Sequence, residues 1–540
     1  LTYLLPDLHE LTLAEQVAQL LIVRASGYLF DHQILYPTWE PKGEVLRNWL
    51  QNLAVGGVIL LGGSAGEIAL RTQQLQEWAK VPLLMAADIE EGVGQRFSGA
   101  TWFPPPMALA AIASDNPGQA KDLARQMGAA TAQEALAIGL NWVLAPVVDV
   151  NNNPLNPVIN VRAFGEDPAT VGMLATAFIE GCHHHRVLTC AKHFPGHGDT
   201  ATDSHLDLPV IPHNLARLQQ LEYLPFKDAI AAEVDSIMSA HLLIPDLDKQ
   251  YPATLSPRIV TGELRQALGF EGLIVTDALV MGAIADRYGA NESPLLALEA
   301  GADVLMMPVD PPGAIQAICD AVEAGRISHD RILSSLERIW RAKQRVFTLE
   351  VAGDSGHHHD WEHRPPAPIQ LGGLATPEAQ QTAAKILQTA GQFRGSIPAV
   401  EGFARNVIVV DELIDCDILN RKAPAIVLPQ AKGYQTLYLI DRHSPTHPQD
   451  CLQQSQEPTL LQLFIRGNPF RGSAGLSQLA QDWFDALVQS GQLAGLVLYG
   501  SPYILETFLP LLPPEIPYGF SFGQMPMAQA IALNMLFKDP

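Results

Sequence analysis

The chain has 540 residues, 47% hydrophobic and 17% charged, and its 57 acidic against 34 basic side chains give a formal net charge of −23. That length exceeds one ordinary hydrophobic core and predicts two domains. The charge excludes nucleic acid or an anionic membrane surface as the principal partner, and no apolar run approaches the roughly 20 residues that cross a bilayer.

Short apolar runs alternate with longer amphipathic stretches through the first two-thirds of the sequence. The runs are Val17–Ala25, Val55–Gly63, Val81–Ile89, Leu140–Val150, Val187–Lys192, Ser236–Leu243, Gly272–Thr276 and Ala302–Val309. Helical patterns fall between them at Glu67–Ala79, Gly118–Ile138, Asn214–Glu233, Pro257–Leu268 and Pro294–Ala300. Strands alternating with helices in this way predict an α/β fold, a (β/α)8 TIM-type barrel over residues 1–346. Polar residues close several runs at their carboxyl ends: Asp88, Asp149, Lys192 with His193, His241 and Asp277. That is where a barrel of this type carries its chemistry, and ionisable groups scattered at both strand ends would argue against a site.

After the helix Ile327–Lys343 the pattern decays into a Gly-, Pro- and His-rich stretch, read as a linker over 347–375. The helix Pro377–Thr389 then opens a second region, 376–540. Strands are expected there at Val407–Val410, Ala425–Leu428, Thr436–Ile440, Leu460–Ile465 and Gly495–Tyr499, in a smaller αβα sandwich. The five cysteines have no CxxC spacing, so a disulfide scaffold or zinc ribbon is not expected, and a reducing, cytoplasmic compartment is preferred. Because the sequence starts at Leu1, a removed signal peptide stays open.

The segment Lys192-His193-Phe194-Pro195-Gly196-His197-Gly198-Asp199, continued to Asp203-Ser204-His205, gathers proton-transferring and ligand-holding side chains on a loop shaped by Gly and Pro. Taken by themselves, its parts have plain alternatives. Asp203-Ser204-His205 also fits an Asx-type turn with an exposed imidazole, and Asp277 fits a helix cap as well as a nucleophile. Arg162 has Glu166 or Asp167 within its own turn as partners, and Arg96 has Glu90 or Glu91. The tracts His183–His185 and His357–His359 read as solvated surface, since nothing at metal-ligand spacing organises them. Gly92-Val93-Gly94 lacks the third glycine of a dinucleotide fingerprint. His197 and Asp199 are expected to shape the loop.

KHFPGHGDTATDSH resembles the signature loop of glycoside hydrolase family 3, in its β-N-acetylglucosaminidase branch. LTLAEQVAQLL, AADIEEGVGQRF, VRAFGEDP and LIVTDALVMGAI carry the same resemblance over residues 10–345, and LVLYGSPYIL and YGFSFG extend it more loosely. The resemblance implies a retaining exo-β-N-acetylglucosaminidase acting on a carbohydrate substrate, peptidoglycan fragments being the implied class, with no cofactor and no metal. It assigns Asp277 as nucleophile and His205, assisted by Asp203, as acid/base. It assigns Asp88, Arg96, Arg162, Lys192 and His193 to sugar binding. An imidazole titrating near ~6.5 can protonate a leaving oxygen and then deprotonate water, and a neighbouring aspartate would orient it. The turn IEEGVGQ departs from the E-G-G-R type of many relatives, and the second region offers no His or Glu motif for the chemistry. The competing readings are a phosphorylase or transglycosidase on the same site, and a non-catalytic sugar-binding scaffold.

Overall fold

In the computed structural model, which describes residues 5–200, 208–347, 369–400, 402–414, 416–453, 455–466 and 478–537, eight parallel strands follow one another around a barrel. They are β1 (Leu21–Ser26), β2 (Gly57–Leu61), β3 (Leu84–Ala87), β4 (Trp142–Val143), β5 (Leu188–Phe194), β6 (Ser236–Ser239), β7 (Leu273–Thr276) and β8 (Leu305–Met306). β8 returns to pair with β1, Leu21 opposite Leu305. The ring closes where Val275 pairs with Val304, the Thr276 N–H donates to the Val304 carbonyl (3.0 Å) and the Leu279 N–H donates to that of Met306 (2.9 Å).

Successive side chains on a strand go to opposite faces, and here this separates two cores. Leu84, Ala86, Trp142, Leu188, Cys190, Met238, Leu273 and Val275 share the buried cluster that fills the barrel. Their neighbours Met85, Ala87, Val143, Ala191, Ile237 and Ile274 pack outward against helices. The helices start on recognisable caps. Ser64 and Glu67 form a capping box for Ala65–Trp78, and Asn116 with Pro117 opens Pro117–Ala137. The stretch expected as one helix over Asn214–Glu233 is two, Leu215–Gln220 and Tyr223–Ala231.

The second sheet runs β11-β10-β12-β13-β14-β9. Its strands are β9 (Gln392–Arg394), β10 (Arg405–Val410), β11 (Thr436–Ile440), β12 (Thr459–Ile465), β13 (Leu493–Gly500) and β14 (Tyr518–Ser521), all parallel except β9. One expected strand is wrong: Ala425–Leu428 lies in the helix Pro424–Ala431. A four-residue apolar run does not distinguish a strand from a buried helical turn, and Pro424 sits where a helix accepts it, in the first turn. The Ala425 N–H and carbonyl are met by Gln529 and Asn406 (3.1 and 2.8 Å), so the helix end is anchored from both sides. The expected linker falls largely on 348–368, outside the described residues.

The two sheets are joined by side chains. Gln380 donates to Thr101 (3.1 Å), the Ala375 N–H to buried Glu134 (2.9 Å), and the Tyr503 hydroxyl to Glu166 (2.6 Å). As a result the carboxyl ends of β10 and β12 look onto the carboxyl-end mouth of the barrel, the end of an open parallel sheet where ligands usually bind.

Candidate active site

The inward register that buries Leu84 and Ala86 brings Asp88 to the top of the barrel interior. In the same way Leu188 and Cys190 lead to Lys192, Leu273 and Val275 lead to Asp277, and Ile22 leads to Arg24. All four line one cavity of about 620 Å³. A cavity of that size suits a small polar ligand.

Lys192, 1% exposed, donates to Asp88 Oδ1 and sits equally close to Glu90 Oε1, 2.7 Å in each case. Glu90 is also buried and takes a two-point contact from Arg162, Nε to Oε2 and Nη2 to Oε1, both at 2.8 Å. Arg162 spends its third donor on the Val158 carbonyl (2.9 Å). Burial by itself would raise the Glu90 carboxyl, but Arg162 and Lys192 hold it well below the usual carboxylate range. Conversely, burial would lower Lys192 and Arg162, and the facing carboxylates push both up. Glu90, Arg162 and Lys192 therefore stay ionised, and Asp88 beside Lys192 is partly exposed toward the cavity.

Asp149 organises the loop after β5. Wholly buried, it accepts from the His193 ring at Nδ1 (2.8 Å), from the His193 N–H (3.1 Å) and from the His197 N–H (2.7 Å). Burial would raise its carboxyl, but the His193 ring beside it, then His197, bring it below the usual value. With Nδ1 engaged, Nε2 of His193 is the ring nitrogen left to meet a ligand. Burial pushes the His197 imidazole down to about 4, and its Nδ1 lies 2.9 Å from the Thr200 hydroxyl. Gly198 passes so close to the Val150 carbonyl that a Cβ there would lie 1.7 Å from the oxygen, a fit that only glycine allows.

Asp277 follows β7 directly, and its Oδ1 accepts from the Ala278 N–H (2.7 Å). It is not a helix cap, because the next helix, Gly282–Tyr288, starts after Met281. His241 bonds Thr254 through Nδ1 (2.9 Å) and the Ala278 carbonyl through Nε2 (3.0 Å), and so holds the peptide on which Asp277 is mounted.

The local alternatives for the arginines do not occur. Asp167 caps the helix Pro168–Cys182, and Glu166 accepts from Tyr503. Arg96 is exposed on the cavity rim and donates through Nε to the Asp88 backbone carbonyl (3.0 Å), away from the side chains of Glu90 and Glu91. His183 is not solvated surface, since its Nε2 lies 3.2 Å from the Asp235 carboxylate. Asp203 and His205 lie outside the described residues.

Sequence reasoning missed three features: Glu90 as the centre of the charge network, Asp149 as the partner of His193, and the second domain's share of the wall. Glu91, next to Glu90 but fully buried, pairs with Arg466 at the end of β12 (2.7 Å) and accepts from the Trp102 indole (3.0 Å). Asp411, Glu412, Asp417 and Phe464 line the same cavity. The period-2 pattern ends at Asp88, so nothing in it reveals which of two adjacent glutamates turns inward. Asp149 did stand at a strand-run end, which was a usable signal.

A parallel barrel and a companion sheet thus direct their strand ends at one charged cavity of a size that suits a small polar ligand. The chain belongs to glycosyl hydrolase family 3. Residues 12–342 match the glycosyl hydrolase family 3 N-terminal domain and 399–538 the bacterial glycosyl hydrolase family 3 C-terminal domain. The chain is similar to beta-hexosaminidase A of Pseudoalteromonas piscicida, 34% identical over 323 residues, which cover 54% of this chain and 54% of that protein, about half its length. It is also similar to a beta-hexosaminidase of Thiobacillus denitrificans (strain ATCC 25259 / T1), 33% identical over 315 residues that cover 58% of this chain and 83% of that one. Among solved structures, a glycoside hydrolase family 3 beta-N-acetylglucosaminidase from Paenibacillus sp. str. FPU-7 superposes with a TM-score of 0.77 at 29% identity, covering 98% of this chain and 97% of that one.

Proposed function

We propose that the chain is a retaining exo-β-N-acetylglucosaminidase that releases terminal β-linked N-acetylglucosamine from glycans, peptidoglycan fragments among them. One observation carries this reading: Asp277, mounted at the end of β7, shares a single cavity with Asp88, Lys192 and Arg162. Ionised groups fixed before the substrate arrives suit the hydroxyls of a pyranose, which both donate and accept. The names of the relatives supply the acetamido sugar.

In the first step Asp277 attacks the anomeric carbon as the bond to the leaving oxygen breaks, and His205, as imidazolium, gives that oxygen its proton. Neutral His205 then takes a proton from water. The resulting attack at the anomeric carbon releases Asp277 and leaves the original anomeric configuration. Asp203 orients His205, while Asp88, Arg96, Arg162, Lys192 and His193 hold the sugar. Asp411, Glu412 and Asp417 of the second domain line the same cavity as Arg24, Arg96 and Arg466, so the choice between water and phosphate as acceptor is left to the assay.

Incubation with an aryl β-N-acetylglucosaminide and an aryl β-glucoside, each with and without phosphate, tests the reading. Free β-anomeric N-acetylglucosamine from the first substrate alone, at a rate indifferent to phosphate, is the expected result. A sugar 1-phosphate product, or faster release from the glucoside, would replace it with the phosphorylase or glucosidase reading.

A further inference from the structure

The segment between β1 and the helix Gly43–Asn48 presents aromatic and apolar side chains to solvent, where a folding core has no use for them. Phe30 is 62% exposed, Leu35 61% and Tyr36 44%. Part of this surface is built with care. The rings of Tyr36 and Trp39 lie nearly parallel, 6.0 Å between centroids and 23° between planes. The Arg24 guanidinium sits over both, 5.0 Å from one centroid and 5.7 Å from the other. Glu40, 3% exposed, fixes that guanidinium by accepting from Nε and Nη2 at 3.1 and 3.0 Å. Arg24 belongs to β1, so a barrel strand holds the pair in place. Arg24 and Trp39 both line the active-site cavity, which makes the aromatic surface continuous with it.

We propose that Tyr36 and Trp39 form a platform for the sugar rings on the leaving-group side of the scissile bond, so that this site prefers oligosaccharides to single sugars carrying small aglycones. The inference rests on the glycosidase reading and adds the class of leaving group. A β-linked pyranose with equatorial substituents exposes axial C–H groups on its two faces. Those faces stack on aromatic rings, while its edge hydroxyls remain free to bond. A platform already locked by Arg24 and Glu40 loses little entropy when a sugar settles on it, and exposed aromatic area continuous with a polar cavity is what such stacking requires.

The test uses the full chain carrying Asp277→Asn, titrated calorimetrically with N-acetylglucosamine and its β-1,4-linked dimer and trimer. Affinity should rise about ten-fold or more from monomer to trimer, which corresponds to ~1.4 kcal/mol. Adding Trp39→Ala or Tyr36→Ala should reduce that gain to less than about three-fold, and Trp39→Phe should restore most of it. If Trp39→Ala melts early, Tyr36→Ala and Trp39→Phe carry the comparison. No gain with length, or the same gain in both alanine variants, overturns the platform. It is also overturned if a peptide-bearing disaccharide gains through these two rings where the trimer does not. Wild-type turnover of the aryl β-N-acetylglucosaminide is scored separately, so a chain that binds by length but does not hydrolyse would sink the glycosidase reading and leave the platform standing.

Discussion

At the base of the barrel, ahead of β8, Asp303 is fully buried and crowded with donors: Arg265 (2.6 Å), the Ile274 N–H (3.1 Å), Ser335 (2.7 Å) and Arg338 (3.2 Å). Asp235, ahead of β6, receives Arg345 (2.5 Å), His183 (3.2 Å) and both the N–H and hydroxyl of Thr189 (2.8 and 2.9 Å). These carboxylates staple the helices Arg258–Ala267 and His329–Val346 to the strands. At the mouth, Glu90 is just as buried and just as paired, yet its cations also border a cavity, and Asp88 beside them is partly exposed. Ionisable groups at strand ends therefore do not by themselves mark a site, because this barrel has them at both ends. What separates Asp303 from Glu90 is that the first is sealed by protein donors while the cations around the second border the active-site cavity; His183 and Arg345, the partners of Asp235, border a separate surface recess.

The largest expected effects would break that contrast if they failed. Asp277→Ala should lower turnover of an aryl β-N-acetylglucosaminide by on the order of 10³-fold or more, with a melting temperature close to the parent's. Asp303→Ala should do the opposite. Arg265, Arg338 and Arg331, the last 3.6 Å from Asp303, lose their buried counter-charge, so denaturant unfolding should report a loss of about 3–5 kcal/mol while activity per folded molecule is retained. A mouth variant that unfolds the chain, or a base variant that stays stable but inactive, would reverse the assignment of the two ends.

The barrel was legible because each apolar run is bounded by turns and alternates with a helical pattern, and because the inward register continues directly into Asp88, Lys192 and Asp277. Legibility ended where the register did. Glu90 and Glu91 are neighbours with opposite partners, one facing Arg162 and Lys192, the other Arg466 some 375 positions away in sequence. Only tertiary packing decides that. The second sheet was harder to read for a related reason. Ala425–Leu428 is as apolar as a strand but is helical, with Pro424 in the first turn and the N–H and carbonyl of Ala425 at that end met by Gln529 and Asn406. Gln392–Arg394, only partly buried and antiparallel at the sheet edge, shows no apolar run to read.

Smaller effects sharpen the picture of the mouth. Glu90→Gln removes the charge shared by Arg162 and Lys192, and should reduce kcat/KM by on the order of 10² while leaving the fold in place. Arg466→Ala acts one step further out. It unpairs buried Glu91, so steady-state kinetics should show a loss of roughly ten-fold, and Arg466→Lys should recover only part of it because it cannot make the two-point contact.

The smallest effect is on the pH dependence of stability, and it concerns His197. Burial lowers this imidazole to about 4, against an ordinary value near ~6.5 in the unfolded chain. Between those values the unfolded chain binds a proton that the folded chain does not. The stabilising contribution of the neutral ring is therefore complete above about pH 6.5 and is lost as the pH falls toward about 4. Glu90 works in a lower window: its folded carboxyl lies below the usual range, so its contribution persists above the ordinary ~4.3 and is lost only on further acidification. Melting temperatures taken from pH 7 down to 4 should fall less steeply in His197→Gln than in the parent, whereas Glu90→Gln should keep the parental slope over that interval and flatten the curve only below it. Equal slopes for parent and His197→Gln would mean that the ring is not buried in its neutral form, and the close packing of the loop around Asp149 would then have to be redrawn.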